Sequence, residues 1–584
     1  MADLLPRAVE AFSDRPAVKH KDASGAWVDL TFTEVGERVR ALSLGLMDLG
    51  VEKGEKVSIL ANTRLEWTLF DFAALTAGAT VVPIYQTNSS DECHYVLENS
   101  DAKVVVVEDE SQLAKVRAVR DRLPMLQHVI LIDGEAEDAI SMAEIERRGE
   151  NGDAAAWRAR YTSVTSDDIC TFIYTSGTTG PPKGCVISHG NYRAMLDMTQ
   201  QSSVVEPDDV SYLFLPLAHS FALLIQFGSF DVGATLAYWE RDPLKIIENL
   251  SEVRPQYFPS VPRIFEKVYA TATAAVDKQG GLKKRIFWWS IGVGARYREA
   301  EREGHEPGLL LKRQFAFADK QVLSKIRGIF GGRIRQCVSG AAPINPDILR
   351  FFEAAGVLVL EGYGMTETST AATISTPEAY KIGTVGRPFN GCEVKIADDG
   401  EVLIKGPNIF QGYYKNDEAT RDTIVDGWLH TGDLGEIDSD GYLSITGRKK
   451  DIIITAGGKN ITPANLEAEI KQLPIVSQCV VIGDRRPYLV ALVTLDPEEA
   501  AAYAAEHDLP DDPAALAENV DVKAVIMAHV DQINEKFARV EQVKKISILP
   551  ADLSQEGGEL TPTMKVKRNV VAEKYADAVE KLYS

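Results

Sequence analysis

The sequence predicts an α/β protein, with a large N-terminal multilayer α/β domain followed by a smaller α+β C-terminal domain. Three observations carry this. Between Thr31 and Val107, helix-period and strand-type segments alternate, the pattern of a parallel sheet covered by helices. At 584 residues, with 45% hydrophobic and 25% charged residues, the chain is globular in composition and too long for one simple core. Toward the C-terminus, strand-like runs at 478–482 and 489–495 fall among helical stretches around Glu467 and at 498–506.

Taken in order, Val35, Val39, Leu42, Leu46 and Leu49 recur at helical spacing, Gly50 follows as a stop, and 57–60 reads as a strand. A helix at 67–76, a strand at 80–84, a helix around Tyr95 and a buried-type strand at 103–107 continue the alternation. Strand-like runs at 170–174 and 185–188 then bracket Thr175-Ser-Gly-Thr-Thr-Gly-Pro-Pro-Lys-Gly184. Gly177 and Gly180 let the backbone approach an anion closely, and the hydroxyls of Thr175, Ser176, Thr178 and Thr179 with the ammonium of Lys183 suit a polyphosphate. The spacing is not that of P-loop NTPases, because Pro182 precedes Lys183 and Gly184 follows it. A flexible linker would lack the flanking strands.

Further on, 211–221 reads as an apolar strand ending at His219, a position more often held by a core histidine. The stretch 276–333 is helical, and in it Lys283, Lys284 and Arg285 precede an aromatic run in which Ile286, Trp289, Val293 and Tyr297 share a face. Core packing is the favoured reading of that face, and a peripheral membrane contact the alternative. Gly340 and Ala341 can let a flat ring slide against the backbone, and Tyr363, followed by Gly364, can stack on it. Thr366 offers a hydroxyl to a phosphate, and Glu367 a hard oxygen ligand to magnesium.

Composition limits the partners. Sixty-three Lys and Arg against 85 Asp and Glu give a net charge of -22, which argues against nucleic acid as a ligand and requires a local basic site for any polyanion. Six dispersed cysteines point to buried thiols rather than a metal centre or a disulfide framework. With no apolar run long enough to span a bilayer, a cytoplasmic protein is expected.

The segment 173–184 resembles the phosphate-binding signature of the adenylate-forming enzymes, the superfamily of acyl-CoA synthetases, luciferases and peptide-synthetase adenylation domains. Other motifs follow in that superfamily's order. The Leu-Pro-Leu-Ala-His string ending at His219 resembles a segment beside the acyl pocket, and Tyr363 to Glu367 resembles the Tyr-Gly-x-Thr-Glu signature. Between them the segment 254–267, with its Val-Pro dipeptide, resembles a strand and turn of the superfamily and is read mainly as scaffold. The stretch 276–333 is similar to an insertion of long-chain fatty acyl-CoA synthetases, and 426–450 to their later signature, from which it departs at Glu436 and Gly447. The resemblance implies that Asp433 accepts the ribose hydroxyls, that Arg448 donates to ribose or phosphate, and that Lys450 is a hinge between residues 1–449 and a mobile domain of residues 450–584. It further implies that Gly457 and Gly458 wall a pantetheine tunnel and that Lys565, with Arg568 three residues on, carries adenylation. Met564 replaces the usual glycine before that lysine, and neighbouring Lys567 is the alternative. The activity implied is ATP-dependent formation of a fatty acyl-CoA, most readily long-chain, from fatty acid, ATP, Mg2+ and coenzyme A. Its rivals are an acyl-AMP ligase serving a carrier protein, a luciferase-like oxygenase, and a noncatalytic acyl-binding or transport factor.

Overall fold

The computed structural model describes residues 1–175, 181–456, 459–561 and 564–584. Ser176, Gly177, Thr178, Thr179, Gly180, Gly457 and Gly458 therefore lie outside the described residues.

Alternation of helix and strand produces two parallel-cored sheets. In the first, Lys56–Leu60 pairs in parallel with Thr80–Ile84 and Ala102–Val107, and Thr80–Ile84 in turn with Ile169–Thr175. Ile169–Thr175 folds back antiparallel onto Lys183–Ser188, so Thr175 and Lys183 face each other in register at the end of the hairpin. In the second, Thr235–Tyr238, Val210–Leu213, Tyr257–Ser260, Gln336–Ser339 and Val359–Tyr363 run parallel, and the last two place Gly340 and Tyr363 at neighbouring strand ends.

Helices Phe32–Asp48, Leu65–Thr76, His189–Gln201 and Ser220–Val232 share one core with strands of both sheets. Leu65–Thr76 is apolar nearly all round and is buried accordingly, with Trp67 fully enclosed. The Phe72 ring lies 4.8 Å from Phe230 and 6.0 Å from Phe227, tying this helix to Ser220–Val232. Phe32–Asp48 begins on a capping box, in which the Thr31 hydroxyl accepts from the Glu34 N–H and the Glu34 carboxylate accepts from the Thr31 N–H. The second sheet's other face is covered by Pro262–Gln279, Gly281–Arg302 and Pro346–Ala355 around Phe258, Phe265, Phe330 and Phe352.

Three expectations are corrected. The strand read over 211–221 stops at Leu213, because Pro216 cannot donate to a ladder and His219 caps a helix that the apolar run concealed. After Tyr257–Ser260 comes not a turn but the helix Pro262–Gln279, opened by a proline at its first position. In Gly281–Arg302 the buried line is Phe287, Ser290, Val293 and Gly294, so Trp289 faces outward rather than into the core.

An antiparallel sheet of Glu393–Ile396, Glu401–Lys405, Trp428–Ile437 and Leu443–Arg448 follows. Past the short turn Lys449–Asp451, Val476–Ile482, Leu489–Leu495 and Val543–Ile548 form a mixed sheet packed on Pro463–Ile470 and Val520–Asn534 around a core of its own. The six cysteines are buried and free. Among the described residues, no helix is long and apolar enough to cross a membrane.

Candidate functional site

Strand register assembles the first part of the site. Asp433 in Trp428–Ile437 lies directly opposite Arg448, the last residue of Leu443–Arg448, and the Arg448 Nε donates to Asp433 Oδ1 at 2.6 Å. From the neighbouring sheet, the Tyr363 hydroxyl donates to Asp433 Oδ2 at 2.7 Å. Burial pulls the Arg448 guanidinium down, but the Asp433 carboxylate more than offsets this and the net shift is upward. Tyr363 is pushed far up, by burial first and by Asp433 second, so its hydroxyl stays a donor. The residue assigned to a base and the one assigned to a ribose are therefore one hydrogen-bonded unit. Gly340 has an open face, where an added Cβ would meet nothing nearer than the Phe221 ring at 3.5 Å, and Ala341 holds a left-handed backbone at φ +70°. Gly364 answers a packing need instead, because a Cβ there would lie 2.2 Å from the Thr370 carbonyl oxygen.

The second part surrounds Glu367, which with Thr366 occupies a buried single turn, Thr366–Thr368. Glu367 Oε1 accepts from the Tyr413 hydroxyl at 2.7 Å, while the Lys183 ammonium stands over the Tyr413 ring, 4.8 Å from its centroid. Tyr413 thus joins the lysine of the phosphate-loop hairpin to the carboxylate proposed for magnesium. The sequence reading missed it, since Gly412-Tyr-Tyr414 carries no motif and only the antiparallel pairing of Gly412–Tyr413 with Val186 and Cys185 brings it here. Glu367 fits magnesium, which is commonly held by one or two carboxylates together with substrate phosphates rather than by a full protein cage.

Lys565 comes from the other side. Desolvation lowers the pKa of its ammonium, aided by Arg448 and opposed by Asp433 and Glu367. Those three residues belong to both halves of the site, and the Lys565 ammonium feels the charge of each. Lys567 instead caps the helix Arg568–Lys574, with its N–H donating to the Glu559 carbonyl at 2.7 Å. Arg568 is an anchor outside this cluster: its guanidinium forks onto Glu467 at 2.6 and 2.9 Å and donates to the Val481 carbonyl at 3.0 Å. Met564 has φ +62°, which is why glycine suits that position and why methionine there is strained. Lys450 is exposed in the turn Lys449–Asp451, two residues beyond Arg448.

His219 caps Ser220–Val232, its Nδ1 accepting from the Phe221 N–H at 3.2 Å. A backbone N–H can only donate, so the neutral ring carries its proton on Nε2. Burial, helped by the Lys565 ammonium, holds its pKa at about 3. An unfolded histidine takes its proton at about 6.5, so the unfolded chain binds more protons between these values, and stability must fall as pH drops from about 6.5 toward 3. His219→Asn keeps a capping acceptor without the titration. We expect its melting temperature to fall less steeply from pH 7 to 5 than that of the parent, and identical slopes would refute the assignment. His189, also held at about 3 by burial, titrates in both proteins and cancels from the comparison.

Residues 5–414 match the AMP-binding enzyme family, and residues 450–584 match the AMP-binding enzyme C-terminal domain. The chain belongs to the AMP-binding enzyme family. A long-chain-fatty-acid–CoA ligase, FadD15, of Mycobacterium bovis is 41% identical over 96% of this chain and 93% of its own length. The long-chain-fatty-acid–CoA ligase ACSBG2 of Xenopus laevis is 34% identical over 99% of this chain and 83% of its own. Among solved structures, the adenylation domain of a carboxylate reductase from Mycobacterium chelonae matches with a TM-score of 0.80 at 24% identity, covering 100% of this chain and 91% of that one. As an AMP-binding enzyme, the chain has the mixed α/β architecture expected of it, a large N-terminal part and a smaller C-terminal one.

Proposed function

We propose that this AMP-binding enzyme is an ATP-dependent long-chain fatty acid–CoA ligase, with Lys183, Thr366, Glu367 and Lys565 acting on the phosphates and Tyr363, Asp433 and Arg448 holding the nucleoside. The observation that carries the reading is the pair of built clusters, Tyr363 and Arg448 hydrogen-bonded to Asp433, and Tyr413 joining Glu367 to Lys183. The names of its relatives supply the acyl class.

In the first step a carboxylate oxygen of the acid attacks the α-phosphorus of ATP, the bond to the β-phosphate bridge breaks, and pyrophosphate leaves. Negative charge gathers at the α-phosphate as this happens. Lys565 from one side, Lys183 from the other and the Thr366 hydroxyl meet that charge with donors already in place. Magnesium on Glu367 would neutralise charge on the leaving phosphates. His219, neutral with Nε2–H, can donate a hydrogen bond toward the acyl carboxylate without adding charge to a crowded anionic centre. In the second step the CoA sulfur attacks the acyl carbonyl, the thiol proton is released, and AMP departs on the Asp433 and Arg448 side.

The two steps want different partners beside one carbonyl, and we place the change at Lys450. Contacts linking residues 450–584 to the rest include polar pairs that water can replace: Arg263 with Asp496 at 2.9 Å, Lys267 with Glu498 at 2.9 Å, and Asn345 with Glu469 at 2.8 Å. A turn about Lys450 would withdraw Lys565 after adenylation and bring the Gly457-Gly458 segment in as a tunnel wall. Six buried free cysteines suit a reducing cytoplasm.

Pyrophosphate release across a panel of carboxylic acids tests the acyl class. If the acyl channel is apolar, each methylene contributes about 0.8 kcal/mol, roughly fourfold in kcat/KM, so activity should climb from medium to long chains. Acetate or an aromatic acid turning over as well as a long-chain acid would overturn the reading.

A further inference from the structure

Outside the site, the helices Gly281–Arg302 and Leu309–Ala318 carry a surface on which large apolar side chains stand exposed. Phe287, Ser290, Val293 and Gly294 occupy the inward line of the first helix, leaving Leu282, Arg285 and Trp289 stacked at helical spacing on the outward side. On the second helix, Leu310, Arg313 and Phe317 form a matching outward stripe. The two stripes meet where the Trp289 and Phe317 rings approach to 6.0 Å. Exposure is high for side chains of this size: Leu282 is 70% exposed, Leu310 71%, Leu309 81% and Phe317 51%.

The charge around this face opposes that of the molecule. Between 278 and 296 there are five basic residues, Lys278, Lys283, Lys284, Arg285 and Arg296, and no Asp or Glu, in a chain whose net charge is -22, while Arg298 beyond them is paired with Glu301. An acidic protein gains from such a cluster only where an anionic surface can meet it. Leucines and aromatics stand apart on this face, interleaved with arginines and bordered by lysines. They suit the interfacial zone of a bilayer, where apolar tips enter the acyl boundary and cationic heads reach the phosphates.

We propose that this face, built on Leu282, Arg285, Trp289, Leu310, Arg313 and Phe317, docks the enzyme on an anionic lipid bilayer. The proposal is independent of which acid the enzyme activates. Its probe is the full-length protein sedimented with phosphatidylcholine vesicles with and without phosphatidylglycerol. Binding should appear with phosphatidylglycerol, weaken as salt is raised, and fall about tenfold or more when Lys283, Lys284 and Arg285 are replaced by glutamine. The Leu282→Glu, Phe317→Glu double variant should lose binding to the phosphatidylglycerol vesicles. Both variants should keep the parent's melting temperature and its pyrophosphate release with a water-soluble medium-chain acid in the absence of lipid. Should the double variant fail to fold, brominated lipids give a second reading on milder chemistry: they should quench tryptophan emission in the parent and less in Trp289→Phe. Absence of vesicle binding, variants that bind like the parent, or quenching unchanged in Trp289→Phe would overturn the proposal. So would lipid-free self-association that the Glu substitutions abolish, since the face would then be an interface between copies of the chain.

Discussion

Lys565→Ala is expected to abolish acyl-adenylate formation while leaving CoA transfer from supplied acyl-adenylate nearly intact. Its ammonium feels the charge of Glu367 on the proposed phosphate side and of Asp433 and Arg448 on the proposed ribose side. During adenylation it would meet charge that develops only as the carboxylate closes on the α-phosphorus. Losing such a donor typically costs about 3–4 kcal/mol, on the order of 10²–10³ in rate. The transfer step makes and breaks bonds at the acyl carbon rather than at the α-phosphorus, with AMP leaving as a phosphate monoester dianion, so a cation placed for attack on the phosphorus is not required there. Pyrophosphate release and adenylate consumption, measured separately on folded protein, separate the outcomes.

The control is Lys567→Ala. Because Lys567 sits at the head of Arg568–Lys574 with its backbone engaged by Glu559, its loss should change neither half-reaction more than about twofold, as surface substitutions usually do. Lys567→Ala abolishing adenylation would shift the register of the motif by two residues. Equal loss of both half-reactions in Lys565→Ala would instead remove the support for rotation about Lys450, since a lysine needed throughout need not leave.

What could be read without coordinates followed from how local the cause was. Strands Lys56–Leu60, Thr80–Ile84 and Ala102–Val107 were legible to within a residue because parallel-sheet strands bury both faces and so write themselves as short apolar runs. The same logic failed at 211–221, where strand, turn and buried helix are all apolar and only Pro216 marks the change. Asp433 and Arg448 were legible as a motif, but their bond to each other and to Tyr363 depends on the register of two sheets far apart in sequence. Tyr413 was invisible for the same reason. Trp289 was misplaced because aromatic periodicity alone does not say which of two adjacent helix faces meets the core. Phe287 and Val293 meet it, and the tryptophan is left outside.

Asp433→Asn should weaken ATP binding and depress both half-reactions by a similar factor, because the same ribose stays bound throughout. The carboxylate already accepts from Tyr363 on one oxygen and from Arg448 on the other, each at hydrogen-bonding distance. An ionised carboxylate offers about four acceptor sites, so each oxygen keeps one for a ribose hydroxyl. Asparagine preserves the shape, but it turns one of those oxygens into a donor that faces Tyr363 or Arg448, and it leaves Arg448 without its counter-charge. Hydrogen bonds to charged groups contribute about 1.5–3 kcal/mol each, so losing the set should cost on the order of 10² in ATP affinity. A purely structural role for Asp433 would also lower affinity, and the discriminating comparison is ATP against 2'-deoxy-ATP. The parent should prefer ATP, and Asp433→Asn should treat the two nearly alike, since the acceptor that senses the 2'-hydroxyl is gone. If the variant binds ATP as the parent does, or keeps the parent's full preference for the ribonucleotide while losing affinity for both, Asp433 supports Tyr363 and Arg448 but does not hold the ribose.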